Sequence, residues 1–243
     1  MLPHTLSCLT LSALAATVSF AQPIASTFDA DAEGWSTDLD ARNFEWRATG
    51  GNPGGHVHAV DIGSGQYWRF EAPASYLGNL SDRYGQTLSY DLIQTGSIGT
   101  VTNQPDVLIE GAGQTLVKNY GTAPGGEWTS FAVTLDVAGD WRLGSVSGEP
   151  ADEATIRGVL ADVTGLLIRG EFRVGADAAG LDNVAITSPC PAEITGDGVL
   201  DLGDVQAFVT LFLAQDLAAD FNPDGVIDNG DISAFVAAFL AGC

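Results

Sequence analysis

The chain has 243 residues and carries 31 Asp and Glu against nine Lys and Arg, a formal net charge of −22. A surface that acidic repels phosphate backbones, because nucleic-acid affinity rests on cations that release condensed counterions, and it disfavours anionic membranes and polymers too. Disorder is excluded as well: 45% hydrophobic residues and five Trp are enough to fill a core.

The first element in chain order is an apolar run from Leu6 to Phe20, closed by Ser19-Phe20-Ala21 with small residues at the −3 and −1 positions of a cleavage point. This predicts a signal peptide over residues 1–21 and a mature secreted chain that starts near Gln22. The run is shorter than the ~20 apolar residues that a membrane-crossing helix needs, and no later stretch is longer, so no membrane span is expected. Cleavage would remove Cys8 and leave Cys190 and Cys243. In an exported chain these two are most simply one disulfide; the alternative is a terminal Cys243 that is modified or cross-linked to an envelope component.

From Gln22 to Ser188 the pattern is that of short strands. Gln66–Glu71 alternates, with Trp68 and Phe70 on one face, and the period of two returns in Leu88, Tyr90, Leu92 and in Phe131, Val133, Leu135. Clusters such as Gly50-Gly51-Asn52-Pro53-Gly54-Gly55 separate the runs. After Pro150 the period changes: Ile156, Val159, Leu160 and Val163 fall at helical spacing behind Asp152 and Glu153. About seven or more strands with one inserted helix predict an all-β sandwich over 22–188. Two weaker signals lie on it. His56 and His58 share one side of a strand and could hold a transition metal, or simply face solvent. Trp35, Trp46, Trp68, Trp128 and Trp141 could offer rings for sugar stacking although most are expected in the core, and Trp46, between charged Glu45 and Arg47, is the first choice.

The residues of this region resemble a known family. Phe28-Asp29 with Gly34-Trp35, Tyr67-Trp68 with Ala72-Pro73, Tyr76-Leu77-Gly78-Asn79 and Tyr84–Leu88 look like a laminin B domain (laminin domain IV). So do Glu110–Gly113, Trp128–Phe131, Trp141-Arg142, Leu166–Arg169 and Leu181–Val184. The resemblance implies an extracellular sandwich similar in architecture to carbohydrate-binding jelly rolls, hence a carbohydrate or matrix ligand, a neutral one given the charge. In jelly rolls the terminal strands lie side by side, which makes Asp29 and Asp182 candidates for a shared structural calcium. The cysteine-rich modules that flank this domain in laminins are absent from the sequence, so no laminin-type polymer is expected.

Composition changes at Pro189-Cys190-Pro191: all nine basic residues lie before it, and residues 189–243 hold nine acidic residues and no basic one. Residues 194–214 and 221–241 align without gaps, with 12 of 21 positions identical. Each copy runs from an acidic loop into an apolar helix. In the loop at 220–231, oxygen ligands fall at Asp220, Asn222, Asp224, the Val226 carbonyl, Asp228 and Asp231, around a turn at Gly225. The loop at 193–204 offers Glu193, Thr195, Asp197, the Val199 carbonyl, Asp201 and Asp204, around Gly198. Calcium takes six to eight hard oxygens, so two calcium ions are expected, the first loop holding its ion less tightly. Val205, Phe208, Val209, Phe212 and Ile232, Phe235, Val236, Phe239 form i, i+3, i+4, i+7 stripes, which predicts two helices packed on each other. A duplicated loop–helix of this kind resembles a dockerin, and Gly242-Cys243 makes it similar to the GC type. That resemblance implies a cohesin-like receptor, although Leu202-Gly203 and Asn229-Gly230 replace the usual recognition pair.

Catalytic patterns are missing: no G-x-S-x-G, no H-E-x-x-H and no phosphate loop occur. The sequence therefore reads as a non-enzymatic adhesion protein with a binding half and a mooring half. A polysaccharide-degrading enzyme or its accessory subunit, and a structural envelope component, are the alternative readings.

Overall fold

The computed structural model describes residues 23–39, 41–61, 67–96, 99–195 and 199–242. The expected signal peptide, Gln66, Asp197, Gly198 and Cys243 lie outside them. The strands are β1 (Ile24–Ser26), β2 (Ser36–Thr37), β3 (Ala41–Gly51), β4 (Gly54–Asp61), β5 (Arg69–Glu71), β6 (Thr87–Thr95), β7 (Val107–Gly111), β8 (Gln114–Lys118), β9 (Thr129–Thr134), β10 (Arg142–Leu143), β11 (Val163–Arg169) and β12 (Ala178–Ile186). The α-helices are α1 (Glu153–Leu160), α2 (Leu202–Leu213) and α3 (Asn229–Ala241). The described residues form two compact units, 23–189 and 190–242.

The first unit is an all-β sandwich of two six-stranded sheets. One runs β3-β4-β12-β6-β9, with β1 paired to the stretch of β12 beyond β4; the other runs β10-β8-β7-β11-β5-β2. Alternation builds the interior. Val57 and Ala59 of β4, Leu88, Tyr90 and Leu92 of β6, and Phe131 and Val133 of β9 turn inward to join Phe70, Ile109, Leu116, Leu166 and Ile168 of the other sheet. Trp68 and Phe70 are both fully buried, on the face their period placed them. Each large side chain buried in this way contributes about 1.5–3 kcal/mol.

Helix α1 starts where Asp152 accepts the Thr155 amide at 2.8 Å, and it buries Ile156, Val159 and Leu160. It does not reach Val163, as the helical spacing suggested. Val163 instead exchanges both backbone hydrogen bonds with Gly78, at 2.7 and 2.8 Å, and opens β11. A doubly bonded bridge to a distant loop outweighs one more helical turn.

In the second unit α2 and α3 meet through Phe208 and Phe235, whose rings stack 4.1 Å apart and within 1° of parallel, with Phe221 edge-on to both. The predicted stripes are only partly buried. Phe208 and Phe235 are enclosed and Val205, Phe212 and Phe239 pack beside them, but Val209 and Val236 stay 47% and 44% exposed. Two helices joined along one narrow phenylalanine seam cover less than a full apolar face. Cys190 is disulfide-bonded, and the other two cysteines of the chain lie outside the described residues.

Candidate functional site

On the sandwich, strand parity sends Glu45, Arg47, His56, His58, Asp91, Ile93, Gly180 and Asp182 to the face of the first sheet that points away from the core. Arg47 opposes His56 and Glu45 opposes His58 across β3 and β4. The half-buried Trp128, just before β9, lies over this face. Its indole N–H donates to the Gly50 carbonyl at 3.0 Å, and its ring meets His56 edge-on at 5.4 Å. Glycine is required beneath it: a Cβ on Gly180 would come within 2.9–3.1 Å of Ile93, His56 and Trp128.

Both histidines are buried, 5% and 9% exposed, under this cover. Burial, reinforced by the Arg47 charge, pushes the His58 imidazole down to about 4, and burial lowers His56 as well. Both are therefore neutral near pH 7, and the 3.9 Å approach of His58 to Glu45 is not an ion pair there. Neither reading of the pair fits simply: the two histidines do not face solvent, and among the described residues no group of three or more His, Cys, Asp or Glu is gathered to hold a metal. Trp46 is not the outward ring. It packs half-buried against the core and donates to the Phe28 carbonyl at 2.7 Å. The signal was in the sequence, since a residue between outward Glu45 and Arg47 on a strand must point inward.

Asp29 and Asp182 flank the turn between β3 and β4. A Cβ on Gly51 would lie 2.6 Å from Asp182 Oδ2, and one on Gly54 would lie 3.3 Å from Asp29 Oδ1. Asp182 accepts the Asn52 and Asn183 amides at 2.6 and 2.7 Å. Asp91, not singled out from the sequence, joins them: it accepts from Asn52 and Asn183 side chains at 3.0 and 2.8 Å and from Ser130 at 2.5 Å. Burial raises the Asp182 carboxyl to about 6, helped by the charges of Asp91 and Asp29 and opposed by the two amides. Asn183 takes the left-handed φ of +50° at the bulge that aims this group.

A cleft of about 130 Å³ on the sandwich is lined by Thr102, Asn103, Asp106, Asn119 and Arg169 among others. Arg169 is 2% exposed and pairs with Asp106 at 3.1 Å, while its remaining donors go to the carbonyls of Thr102, Gln104 and Glu171 and to the Thr102 hydroxyl. A guanidinium so fully engaged acts as a brace between loops rather than as a ligand anchor.

In the tail, Asp201 and Asp228 are the N-caps of α2 and α3, and Asp204 and Asp231 close capping boxes three residues later. Asp204 accepts from the Ile194, Thr195 and Asp201 amides at 2.8–3.0 Å, and the Asp201 amide leads in holding its carboxyl down at about 2. Asp231 repeats this with Asn222 and Asp228. Asp220 accepts from Asp224 and Gly225, and Asp224 from Val226, around Gly225 at φ +81°. Every described acidic position of the second loop is thus wrapped by backbone N–H groups. The set is nonetheless all hard oxygen, with Val199 and Val226 both 57% exposed at the carbonyl positions, and that chemistry suits calcium.

Residues 67–197, more than half of the chain, match the family described as Laminin B (Domain IV). The chain belongs to the laminin B family. A mouse relative, the basement membrane-specific heparan sulfate proteoglycan core protein, is 29% identical over 137 residues, which is 56% of this chain and 4% of that protein. The laminin B match includes Trp128, Asp91 and Asp182 and stops inside the first acidic loop; His56, Arg47 and Asp29 precede it. Among solved structures, the L4b domain of human laminin alpha-2 is 12% identical, covering 54% of this chain and 80% of its own, at a TM-score of 0.45. A family 11 carbohydrate-binding module from Clostridium thermocellum, in complex with a β-1,3-1,4-mixed-linked tetrasaccharide, is 14% identical, covering 70% and 98%, at 0.46. Likenesses of that size carry no functional argument. Among the described residues no helix is long and apolar enough to cross a membrane.

Proposed function

We propose that this laminin B protein is a secreted, non-enzymatic binding protein. Its sandwich takes a neutral carbohydrate or matrix polymer on the outer face of the first sheet, and its dockerin-like tail moors it to a cohesin-like or other surface receptor. The observation that carries the sandwich reading is Trp128, a half-buried ring pinned over Gly180 on the outer face beside two neutral imidazoles. An aromatic face suits the apolar C–H surfaces of a sugar, and uncharged imidazoles exchange hydrogen bonds with hydroxyls without attracting anions. The carboxylates of that face, Asp91 and Asp182, hold the hairpin through their oxygens, which supports binding over hydrolysis.

Neutral-glycan and matrix-polymer arrays probed with the intact protein and with Trp128→Ala test this. The variant is expected to stay folded but to lose some thermal stability, since the ring also packs on His56 and bonds the Gly50 carbonyl, and to bind ~10-fold more weakly. Binding unaffected by the substitution, or none to any neutral polymer, removes the proposal.

For the tail, we propose that Glu193, Thr195, Asp197, Val199, Asp201 and Asp204, and Asp220, Asn222, Asp224, Val226, Asp228 and Asp231, hold one calcium each, with Cys190 and Cys243 paired. The repeat-related exposed pairs Val209 and Val236, and Leu213 and Leu240, then form the docking face. A third ion between Asp29 and Asp182 belongs to the same proposal. Pull-down from the native envelope with and without chelator checks the mooring; capture that ignores chelator counts against it.

A further inference from the structure

One end of the first sheet holds a buried group that neither the sugar face nor the tail uses. There β4 stops at Asp61, β6 passes Gln94, and the chain enters β12 through Asp177. The Asp61 amide donates to the Asp177 carbonyl at 2.9 Å, which fixes the two residues side by side. All three side chains are enclosed: Asp61 is 6% exposed, Gln94 5% and Asp177 4%. Gly96 lets the strands close in, because a Cβ there would lie 3.3 Å from the Asp177 Cα.

Gln94 Nε2 touches Asp177 Oδ2, yet Gln94 Oε1 and Asp177 Oδ1 are buried with no hydrogen-bond partner. The guanidinium of Arg169 pairs with Asp106 and that of Arg173 donates to the Gly99 carbonyl, so both act on Asp177 only as nearby charges, beside the Arg173 backbone amide. Two enclosed carboxylates share this corner, close enough for the Asp61 charge to act on Asp177. Which end of the Gln94 amide faces Asp177 is set by its surroundings. Turned over, it would present a third oxygen to the same point.

We infer that Asp61, Asp177 and Gln94 form a site for a hard divalent cation, calcium in kind, that ties β4, β6 and the entry to β12 together. Two carboxylates cancel a double positive charge, and an amide oxygen adds a neutral donor. An all-oxygen set selects calcium over zinc or copper, with backbone carbonyls or water completing the shell. The site is separate from the tail loops and from the Asp29–Asp182 pair, and it stands whether or not the sandwich binds sugar.

The five Trp lie between residues 35 and 141, so tryptophan fluorescence of the intact protein reports the sandwich without the tail. Calcium is expected to raise the unfolding temperature so measured. In Asp177→Asn part of that rise should vanish, the remainder belonging to the Asp29–Asp182 pair, and native mass spectrometry should count one ion fewer. An unchanged ion count overturns the site, as does an Asp177→Asn protein more stable than the parent in both calcium and EDTA, the mark of two carboxyls sharing a proton. Absence of any calcium effect on the parent overturns it too. Should Asp177→Asn fail to fold, Gln94→Leu replaces it, with affinity at one site expected to weaken ~10-fold; unaltered affinity at every site rejects the inference.

Discussion

Among the described residues the sandwich encloses thirty hydrophobic side chains in its core and the tail five, and that difference governs how each region is held. A large core tolerates internal polar braces such as Arg169 with Asp106, because abundant apolar burial offsets the desolvation of the pair. The tail approaches the size at which a hydrophobic core alone is marginal. It relies on a phenylalanine stack, on acidic residues that cap its helices, and on a disulfide at Cys190. Acidic residues thus have opposite meanings in the two regions. In the sandwich, burial pushes Asp38, Asp106, Asp177 and Asp182 toward the neutral form; in the tail, backbone N–H groups hold Asp204 and Asp231 ionised.

The sharpest way to break this contrast is Phe235→Ala. Loss of a fully packed aromatic costs about 3–5 kcal/mol, more than a five-residue core can spare. Helical circular dichroism, which comes mainly from α2 and α3, should collapse while tryptophan fluorescence keeps its native transition. Concerted loss of both signals would show that the units are not independent.

Calcium comes next. At a hundredfold excess over Kd, an ion that binds only the folded tail stabilises it by about 2.7 kcal/mol per site. The helical transition should move up accordingly, and EDTA should reverse it. A helical transition indifferent to EDTA would leave the loops as capped turns and nothing more.

A smaller effect separates the regions by pH, measured in EDTA. Asp182 and Asp177 have folded values raised to about 6 and about 7, so between pH 4 and 7 the folded sandwich binds more protons than the unfolded chain and loses stability as pH rises. Asp204 is depressed to about 2, so its contribution is complete above about pH 4 and disappears as pH falls through 2. The fluorescence transition is expected to fall as pH rises from 4 to 7 while the helical one stays level there and falls only below about pH 4; parallel changes across pH 4–7 would contradict the assignment.

The smallest change is expected from Val209→Ser with Val236→Ser. Both positions are surface-exposed, so stability should stay within about 0.5 kcal/mol, while capture of a receptor by the tail should fall. Undiminished capture would move the docking face elsewhere.

Much of this was legible residue by residue. Leu88, Tyr90 and Leu92 declared β6, Asp152 declared the start of α1, and the repeated Phe208 and Phe235 declared the helix pair, since each signal is local and periodic. Val163 was not legible, because its partner is Gly78, 85 residues away in sequence. Trp128 was among the candidate rings but could not be ranked above Trp46 for a related reason: it precedes its strand, where no parity rule assigns a face.

Composition and period by themselves determined an acidic chain with a sandwich half and a duplicated loop–helix half, because burial of alternating or helical apolar faces needs only neighbouring residues. Tertiary structure alone decided which polar groups meet. Asp91 reaches Asp182, Asp61 reaches Asp177 and Arg169 reaches Asp106 through cross-strand register and loop packing. Those contacts depend on how distant segments are staggered, and no short stretch of sequence carries that information.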